Sequence, residues 1–467
     1  MKLSLQPLTG ILAACTLAAV IPWEFLHNTG TAWFSGVSVC LLVAVLLPGV
    51  PWSRRIFVLI GLILMLLCVL FLPDWQHTLA DALQRAAFIA AFFTATACIR
   101  SAAGGSPSMT RCGYFLANQP PGRRYLALTT GGHLFGLILS YGAITLLSTL
   151  ATASNANEKN AEIQRYRSRR MLVAIQRGFV SALPWTPLGF AMAISSILVP
   201  GALWIDALLP CLVSSLIMIL SGWTLDSLFK PRLSTPIAVG VKCNNDWWHH
   251  LRPLVTLLLL ITTIATLLHI LTGVRIVGII MLIVPLIALL WTGMQAGHVS
   301  FAKRLAHSAS RTRQFLFADL PILKSEMVLL IMAGFIGVAG ASLVSPVIGA
   351  SGIDLSDASP ILVLLSLFWL IQIAGQLGMN PILAVSLFAP LLPAPSELGI
   401  SSTAMLVAMT SGWAMTGATS PFTASTLLMA NFGQVSGRYA GLVWNGGYAL
   451  LCGALLSGWI CVVATYF

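Results

Sequence analysis

Long apolar stretches separated by short polar turns run along most of the chain. The uninterrupted ones cover residues 8–26, 32–50, 56–72, 82–99, 202–229, 253–271, 274–291, 327–346 and 439–467. Each is close to the roughly 20 apolar residues that a helix needs to cross a bilayer. Charged residues lie mainly in the turns between these stretches. The pattern therefore predicts an all-α polytopic membrane protein.

One apolar segment occurs twice in the chain. Residues 171–199 align without a gap with residues 405–433, which begin 234 positions later, and both copies open with Met-Leu-Val-Ala. Within this alignment Gly178 falls on Gly412, and Pro187 falls on Pro421. A short apolar match arises easily by chance in such a chain, but a Gly and a Pro in the same register do not. We interpret the two segments as an internal repeat.

Both copies are interrupted near the middle, at residues 184–187 and 417–421. Proline removes a backbone donor and clashes with the preceding turn, so each helix should break there. Broken backbone at membrane depth is tolerated only where protein or water covers it. Paired breaks in two halves therefore indicate the binding site of a transporter, and the two broken spans raise the expected number of crossings to about eleven.

Composition and charge agree with a membrane protein. Hydrophobic residues make up 58% of the chain and charged residues 8%, and the mean hydropathy is +0.91. The net charge of +12 comes from bases in short loops, where they orient the spans, so we expect no nucleic-acid partner. Arg54 and Arg55 predict a cytoplasmic turn after the second span. We therefore expect a multi-pass protein of the cell inner (cytoplasmic) membrane, with a cytoplasmic N-terminus and an external C-terminus.

Two further stretches predict re-entrant hairpins. Residues 125–153 lie between two basic segments, so the chain should enter the membrane and return to the cytoplasm, with Gly142 supplying a tight turn next to Ser140. Residues 361–393 are too long for one span, and the loops on either side lack Lys and Arg. They predict a second hairpin that enters from outside and turns at residues 378–381.

The hairpins and broken spans divide the chain into two related halves. The first repeat covers residues 1–229, a cytoplasmic linker covers 230–252, and the second repeat covers 253–467, with an amphipathic surface helix at 298–318. Each half holds a hairpin, a broken span (171–199 or 404–431) and a returning span. Because the charged loops orient these elements in opposite directions, we predict an inverted-topology repeat.

This order of elements resembles the ion transporter superfamily, in particular the divalent anion:sodium symporters and their arsenite and sodium/proton antiporter relatives. The likeness in architecture covers nearly the whole chain. Of the Ser-Asn-Thr triplets that those symporters carry at their hairpin tips, only Asn380 is matched. The resemblance implies an elevator-type transporter, in which hairpins and broken spans slide against a scaffold, usually within a homodimer.

Polar residues and prolines at the two breaks and the two hairpin tips are the candidates for binding substrate or a coupling ion. They are Ser140, Gly142, Thr145, Thr186, Pro187, Asn380, Thr419, Ser420, Pro421 and Thr423. Half-helix N-termini offer N–H groups to an anion, and carbonyl and hydroxyl oxygens can coordinate sodium. None of these residues is acidic, which favours a small anion or a neutral polar substrate over a cation. For any single Ser or Thr, the alternative is a hydrogen bond that only holds helices together.

His133, near the entry of the first hairpin, is the titratable residue closest to the predicted site. It is a candidate for proton coupling, and a packed neutral imidazole is the alternative. The adjacent pair His249 and His250 has no third ligand at metal-site spacing, so we expect no metal site. We expect no cofactor, with sodium as a candidate coupling ion.

Three functions stay open at this point. The first is a secondary active transporter that moves a small anion, an organic acid or an inorganic oxyanion, across the lipid bilayer. The second is a lipid-carrier flippase or another intramembrane lipid-handling protein, for which the arginines at 165–170 would stand at the mouth of a groove. The third is an ion or proton antiporter on the same fold. An enzyme is not expected, because the spans hold no His and acid cluster and no Ser and base pair at one depth.

Overall fold

The computed structural model describes residues 6–26, 28–156, 158–230, 247–297, 300–350 and 358–467. Its helices are α1 (Gln6–Leu26), α2 (Thr29–Leu46), α3 (Trp52–Phe71), α4 (Trp75–Gly104), α5 (Pro107–Ala117), α6 (Pro121–Leu139), α7 (Tyr141–Asn155), α8 (Ala161–Ala182), α9 (Phe190–Leu198), α10 (Trp204–Leu228), α11 (Trp247–Thr272), α12 (Ile276–Gln295), α13 (Phe301–Gln314), α14 (Leu320–Ile322), α15 (Lys324–Ala350), α16 (Pro360–Gln376), α17 (Pro381–Phe388), α18 (Ser402–Thr419), α19 (Ala424–Gly433) and α20 (Gly446–Tyr466). Short 3-10 turns lie at Leu47–Gly49 and Ala389–Leu391, and π-helical turns lie at Phe315–Asp319 and Tyr439–Val443.

The helices confirm the predicted fold class. Within the described ranges, nine helices are long and apolar enough to cross a membrane, namely α1 to α4, α10 to α12, α15 and α20. The two broken spans, α8 with α9 and α18 with α19, bring the predicted crossings to eleven. The chain is an all-α polytopic membrane protein.

The first hairpin consists of α6 and α7, which run antiparallel. Leu147 of α7 lies 3.5 Å from a Cβ placed on Gly131 of α6. The turn between the two helices is Ser140 alone, which has a φ of 49°. Gly142 lies inside α7, so the prediction that Gly142 makes the turn is wrong. Because Ser140 has the positive φ of the turn, Tyr141 begins a regular helix and Gly142 has helical backbone.

The tip of the second hairpin lies where the sequence predicts it. Helix α16 ends at Gln376, and α17 begins at Pro381. Between them Gly378 has a φ of 95°, a conformation that only glycine adopts at little cost. The position of both hairpins in the membrane stays a prediction.

The chain forms two compact units, each made of separate segments. The first unit contains residues 1–105, 261–357 and 382–393, and the second contains 106–260, 358–381 and 394–467. In the first unit Arg275 donates two 2.8 Å hydrogen bonds to the buried carboxylate of Glu24, which joins the start of α12 to α1. The second unit collects α5 to α10, α16 and α18 to α20.

The predicted division into residues 1–229 and 253–467 follows the sequence repeat, not these contacts, and it stays a prediction. Residues 231–246, most of the predicted linker, lie outside the described residues.

The predicted surface helix corresponds mainly to α13. Residues 298–299 of that prediction lie outside the described residues. Phe301 and Leu305 of α13 are 81% and 62% exposed, whereas Ser308 is buried and donates to the Leu289 carbonyl of α12 at 2.8 Å. One side of α13 therefore packs against α12, and another side exposes apolar side chains, as expected of an interfacial helix.

Candidate substrate site at the broken helices

The two copies of the repeat run antiparallel within the second unit. At one end, the Ser402 hydroxyl at the start of α18 donates to the Pro200 carbonyl just after α9, at 2.6 Å. At the other end, Leu172 of α8 lies 3.5 Å from a Cβ placed on Gly433, the last residue of α19. An inverted-topology repeat requires these opposite directions.

The aligned glycines Gly178 and Gly412 make equivalent contacts in the two copies. A Cβ on Gly412 would lie 2.8 Å from the Phe368 carbonyl oxygen of α16, and a Cβ on Gly178 would lie even closer to the Thr129 carbonyl oxygen of α6. Each glycine therefore lets the first helix of a hairpin cross a broken helix backbone to backbone. This contact explains why the repeat carries glycine at this register.

The two breaks meet where the copies cross. Gly417, in the last turn of α18, is packed against Leu183 at the end of α8. The Gly417 carbonyl cannot receive the usual helical bond because Pro421 has no N–H. Gln176 Nε2 of α8 donates instead to the Gly417 and Ala418 carbonyl oxygens, at 3.3 Å each. The Ser425 hydroxyl of α19 also donates to the Gly417 carbonyl, at 2.5 Å, so side chains of both copies satisfy the broken helix end.

The first break covers residues 183–189, between α8 and α9. Trp204 Nε1 donates to the Trp185 carbonyl at 2.8 Å, and the Thr186 hydroxyl accepts the Leu188 N–H at 3.3 Å. Thr186 is buried and Pro187 is half-buried. Side chains therefore support the irregular backbone, as broken backbone at membrane depth requires.

The second break covers residues 420–423, which is shorter than predicted. Residues 417–419 remain helical, so the prediction that the interruption starts at Gly417 is wrong. Ser420, directly before Pro421, has left the helix, with φ −68° and ψ 128°. A proline forces only the residue before it into extended backbone, so α18 continues up to Thr419.

Helix α16 of the second hairpin is tied to the second break. The Ser420 hydroxyl donates to the Gly375 carbonyl at 2.6 Å and accepts the Phe422 N–H at 3.2 Å. At the adjacent residue, Gln376 Nε2 donates to the Thr419 hydroxyl at 3.0 Å. A movement of this end of α16 would therefore disturb the break directly.

Both short helices begin at the breaks without a side chain capping them. Gly189 precedes α9 and has no side chain, and the Thr423 hydroxyl that precedes α19 donates to the Ser420 carbonyl at 3.0 Å. The first N–H groups of each helix face its break, and the helix dipole adds partial positive charge there. Two such ends in one unit suit a solute with negative charge.

A buried polar network extends from the second break to Arg177. Asn445 Nδ2 donates to Gln176 Oε1 at 3.0 Å and to the Ala418 carbonyl at 3.1 Å. Asn445 Oδ1 accepts from Arg177 Nε at 3.0 Å. Gln176 also donates to the Thr426 hydroxyl of α19 at 3.1 Å. The network joins both broken helices to the start of α20.

His133 lies against the first break. Trp185 Nε1 donates to His133 Nε2 at 3.3 Å, and the two rings stack with centroids 5.8 Å apart. His133 Nδ1 lies 2.9 Å from the Ser181 hydroxyl, which donates to the Gly178 carbonyl at 2.7 Å. Because Nε2 faces a donor, these hydrogen bonds fit a neutral imidazole with its proton on Nδ1. Proton coupling by His133 stays a prediction.

The structure brings some of the predicted residues together and leaves others apart. Thr419, Ser420, Pro421 and Thr423 surround the second break, and Thr186 and Pro187 form part of the first. Ser140 and Asn380 are half-buried at the two hairpin tips, Gly142 is half-buried within α7, and Thr145 is exposed and donates to the Tyr141 carbonyl.

Sequence reasoning missed the residues that connect these elements. Gln176, Arg177, Asn445 and Gln376 all bond to the breaks or to each other, and none was a candidate. For Arg177 a signal was available, because it is a charged residue inside an apolar segment of spanning length. The roles of the three amides depend on contacts with distant residues that the sequence does not reveal.

Solved structures of two transporters share this fold. The YdaH transporter of Alcanivorax borkumensis, described as having an unusual topology, matches with a TM-score of 0.51 and 16% identity over 89% of this chain and 98% of YdaH. MtrF of Neisseria gonorrhoeae, described as illuminating a class of antimetabolite efflux pumps, matches with a TM-score of 0.51 and 12% identity over 89% of this chain and 96% of MtrF. No protein-family model matches the sequence, and neither does any curated protein. The chain is a polytopic membrane protein with the fold of known transporters.

Proposed function

We propose that the chain is a secondary active transporter that moves a small anion, an organic acid or an inorganic oxyanion, by an elevator-type mechanism driven by sodium or protons. The observation that carries this proposal is the crossing of two antiparallel broken helices at their interruptions. Such a crossing is the usual solute site of transporters built from inverted repeats. We further propose that the protein works as a homodimer in the inner membrane.

The chemistry of the breaks supports an anion as the solute. The short helices α9 and α19 direct their N-terminal ends at the breaks, and neither copy of the repeat contains an Asp or a Glu. A cation or proton carrier would need a carboxylate at this depth. The hydroxyls of Thr419, Ser420 and Thr423 lie at the second break, and each would exchange a hydrogen bond within the protein for one to the solute or to sodium.

The composition of the second unit supports an elevator. It contains both broken helices, the first hairpin and α16 of the second, which are the elements expected of a moving transport domain. The spans α1 to α4, α12 and α15 make up most of the first unit, which would be the scaffold, whereas α10 and α20 belong to the second unit.

Uptake into proteoliposomes tests the proposal. The panel contains carboxylates, sulfate and arsenite, together with antimetabolites because one structural neighbour belongs to a class of antimetabolite efflux pumps. Each solute is tested under an imposed sodium gradient and under an imposed proton gradient. Accumulation of an anion that follows one of these gradients is the expected result, and its absence across the panel would contradict the proposal.

The variant Thr419→Ala tests the assigned site, with Thr465→Ala as its matched control. Both hydroxyls donate to the carbonyl four residues earlier at 2.8 Å, but only Thr419 also accepts from Gln376. Loss of that one hydrogen bond, worth about 1 kcal/mol, should lower uptake roughly fivefold, whereas Thr465→Ala should not. Asn380→Ala is measured beside them. If Thr419→Ala and Asn380→Ala both transport normally, the site lies elsewhere.

A further inference from the structure

A cavity of about 430 Å³ lies in the second unit, beside the polar network and apart from the residues assigned to the substrate. Its walls come from α6, α8, the end of α10, the π-helical turn Tyr439–Val443 and the start of α20. The lining includes Arg169, Arg170, Arg177, Asp226, Trp444 and Tyr448. This volume falls within the range of small-molecule sites.

The floor of the cavity is a buried cation. Arg177 is only 6% exposed, and it donates to Asn445 Oδ1, to the Tyr125 hydroxyl at 3.3 Å and to the Trp444 carbonyl at 3.2 Å. Its guanidinium also lies over the Tyr448 ring, 4.6 Å from the centroid. All of these partners are neutral, and in the described part of the chain no carboxylate pairs with Arg177. A buried charge is costly without a counter-charge, so this floor favours an anion.

The one acidic residue in the lining, Asp226, already forms an ion pair with an arginine. Asp226 accepts from Arg170 Nε at 2.8 Å and from Arg170 Nη2 at 2.7 Å, a bidentate pair. Arg169 is exposed at the mouth and adds a further positive charge. Nearby, burial together with the charges of Arg167 and Arg170 lowers the pKa of Arg124 to about 10. Positive charge is therefore in excess around the cavity.

The rim of the cavity is apolar where the floor is charged. Phe229, just after α10, is 76% exposed, and Val443, shortly before α20, is 55% exposed. Helices α10 and α20 are both candidate membrane spans, so these side chains stand at the end of one span and at the start of another. Apolar residues exposed at such positions contact lipid.

We infer that this cavity binds the phosphate-bearing headgroup of an anionic phospholipid, with the phosphate between Arg169 and Arg177 and the acyl chains along Phe229 and Val443. Arginine forks recognise phosphate by charge-assisted hydrogen bonds, and basic pockets between spans hold anionic headgroups in this way. A soluble phosphate ester would offer the same charge. The exposed apolar rim favours the lipid, because a soluble ligand would leave the rim without a partner.

A pair of adjacent glycines provides a test by steric block. Gly447 lines the cavity and Gly446 does not, and apart from the adjoining residues and the backbone of the same helix, no described atom lies within 4 Å of a Cβ placed on either one. Gly447→Leu should fill the cavity without disturbing the fold, and Gly446→Leu is the matched control. Native mass spectrometry of the detergent-purified protein, titrated with phosphatidylglycerol, should show binding to the wild type and to Gly446→Leu and a tenfold or larger loss for Gly447→Leu, in line with about 1.4 kcal/mol for each factor of ten.

A second pair of variants tests the charge. Arg169→Gln should weaken phosphatidylglycerol binding about tenfold, because it removes a charge-assisted bond, whereas Arg111→Gln removes an exposed arginine of α5 outside the cavity and should change nothing. Melting temperatures without lipid check that each variant is folded.

A neutral lipid and a soluble phosphate ester distinguish a lipid headgroup from a free phosphate as the ligand. Phosphatidylcholine and glycerol phosphate are titrated in the same way, and both should bind at least tenfold more weakly than phosphatidylglycerol. If glycerol phosphate binds as tightly as the lipid, the site takes a soluble phosphate and the lipid assignment is overturned. Equal phosphatidylglycerol binding by wild type, Gly447→Leu and Arg169→Gln would overturn the site itself. Because the readout is binding alone, neither result depends on the proposed transport activity.

Discussion

Replacing Asn445 with leucine should destabilise the protein more than any other single amide substitution at the crossing. Asn445 is fully buried and bonds to Arg177 Nε, Gln176 Oε1 and the Ala418 carbonyl. The Ala418 carbonyl keeps its bond from Gln176 Nε2, so Asn445→Leu orphans at least two groups, one of them charged, and it also removes a 3.3 Å bond to the Ala440 carbonyl. A buried neutral group without a partner costs about 1–3 kcal/mol and a charged one more, which gives about 3–6 kcal/mol in total.

The assay is thermal unfolding of the purified protein in detergent, at one scan rate because such unfolding is often irreversible. In a chain of this length each kcal/mol shifts the Tm by about 1–2 °C, so Asn445→Leu should lower it by at least about 3 °C. Asn431→Leu, the same substitution at an exposed position of α19, is the control and should stay within about 1 °C. If both variants melt at the wild-type temperature, the network does not hold the broken helices together.

Three further variants test the geometry of the hairpins and breaks. Gly378→Ala should destabilise by about 1–2 kcal/mol, because alanine is strained at a φ of 95°, and a wild-type Tm would contradict that turn. Gly412→Ala should lower the stability by about 1–3 kcal/mol, because its Cβ would clash with the Phe368 carbonyl. Gly446→Ala is the control for both glycine variants. Equal melting temperatures for all three variants would refute the close helix crossing. His133→Gln should leave any proton dependence of transport in place, because the hydrogen bonds fit a neutral ring; a variant that lost only proton-driven uptake would make His133 the coupling residue.

The features set by local chemistry could be predicted from the sequence. Prolines break the helices in both copies, Pro184 two residues after the end of α8 and Pro421 two residues after the end of α18, because the missing N–H and the ring clash act wherever the residue stands. Gly378 marked the tip of the second hairpin because a positive φ favours glycine. The match of Gly178 with Gly412 predicted equivalent positions, although not the helix contacts that require them.

Features for which several neighbouring residues could make the turn or the break were predicted less well. Gly142 was the expected turn residue, but the chain turns at Ser140 and accepts a non-glycine residue with positive φ. Residues 417–419 were expected to be irregular, yet they stay helical because Pro421 forces only Ser420 into extended backbone, and side chains of Gln176, Ser425 and Asn445 donate to the Gly417 and Ala418 carbonyls. The sequence indicates an irregular backbone at the first hairpin tip and at the second break, but it does not show which residue leaves the helical conformation.

The largest omission was the network around Arg177. Arg177 is the seventh residue of the first copy and follows the basic run at residues 165–170. Only the fold shows that Arg177 is buried and that Asn445, far along the chain, is its partner. Contacts of this kind carry no local pattern, so a single sequence does not predict them.

The antiparallel pair of broken helices also bears on how such a chain arose. A tandem duplication repeats the residues without fixing their direction across the membrane. The second copy runs in the opposite direction only if the chain crosses the membrane an odd number of times between the first residue of one copy and the first residue of the other. Here the described chain holds five, counting α8 with α9, α10, α11, α12 and α15. An odd count is what the opposite directions of α8 and α18 require if the two copies are related by duplication.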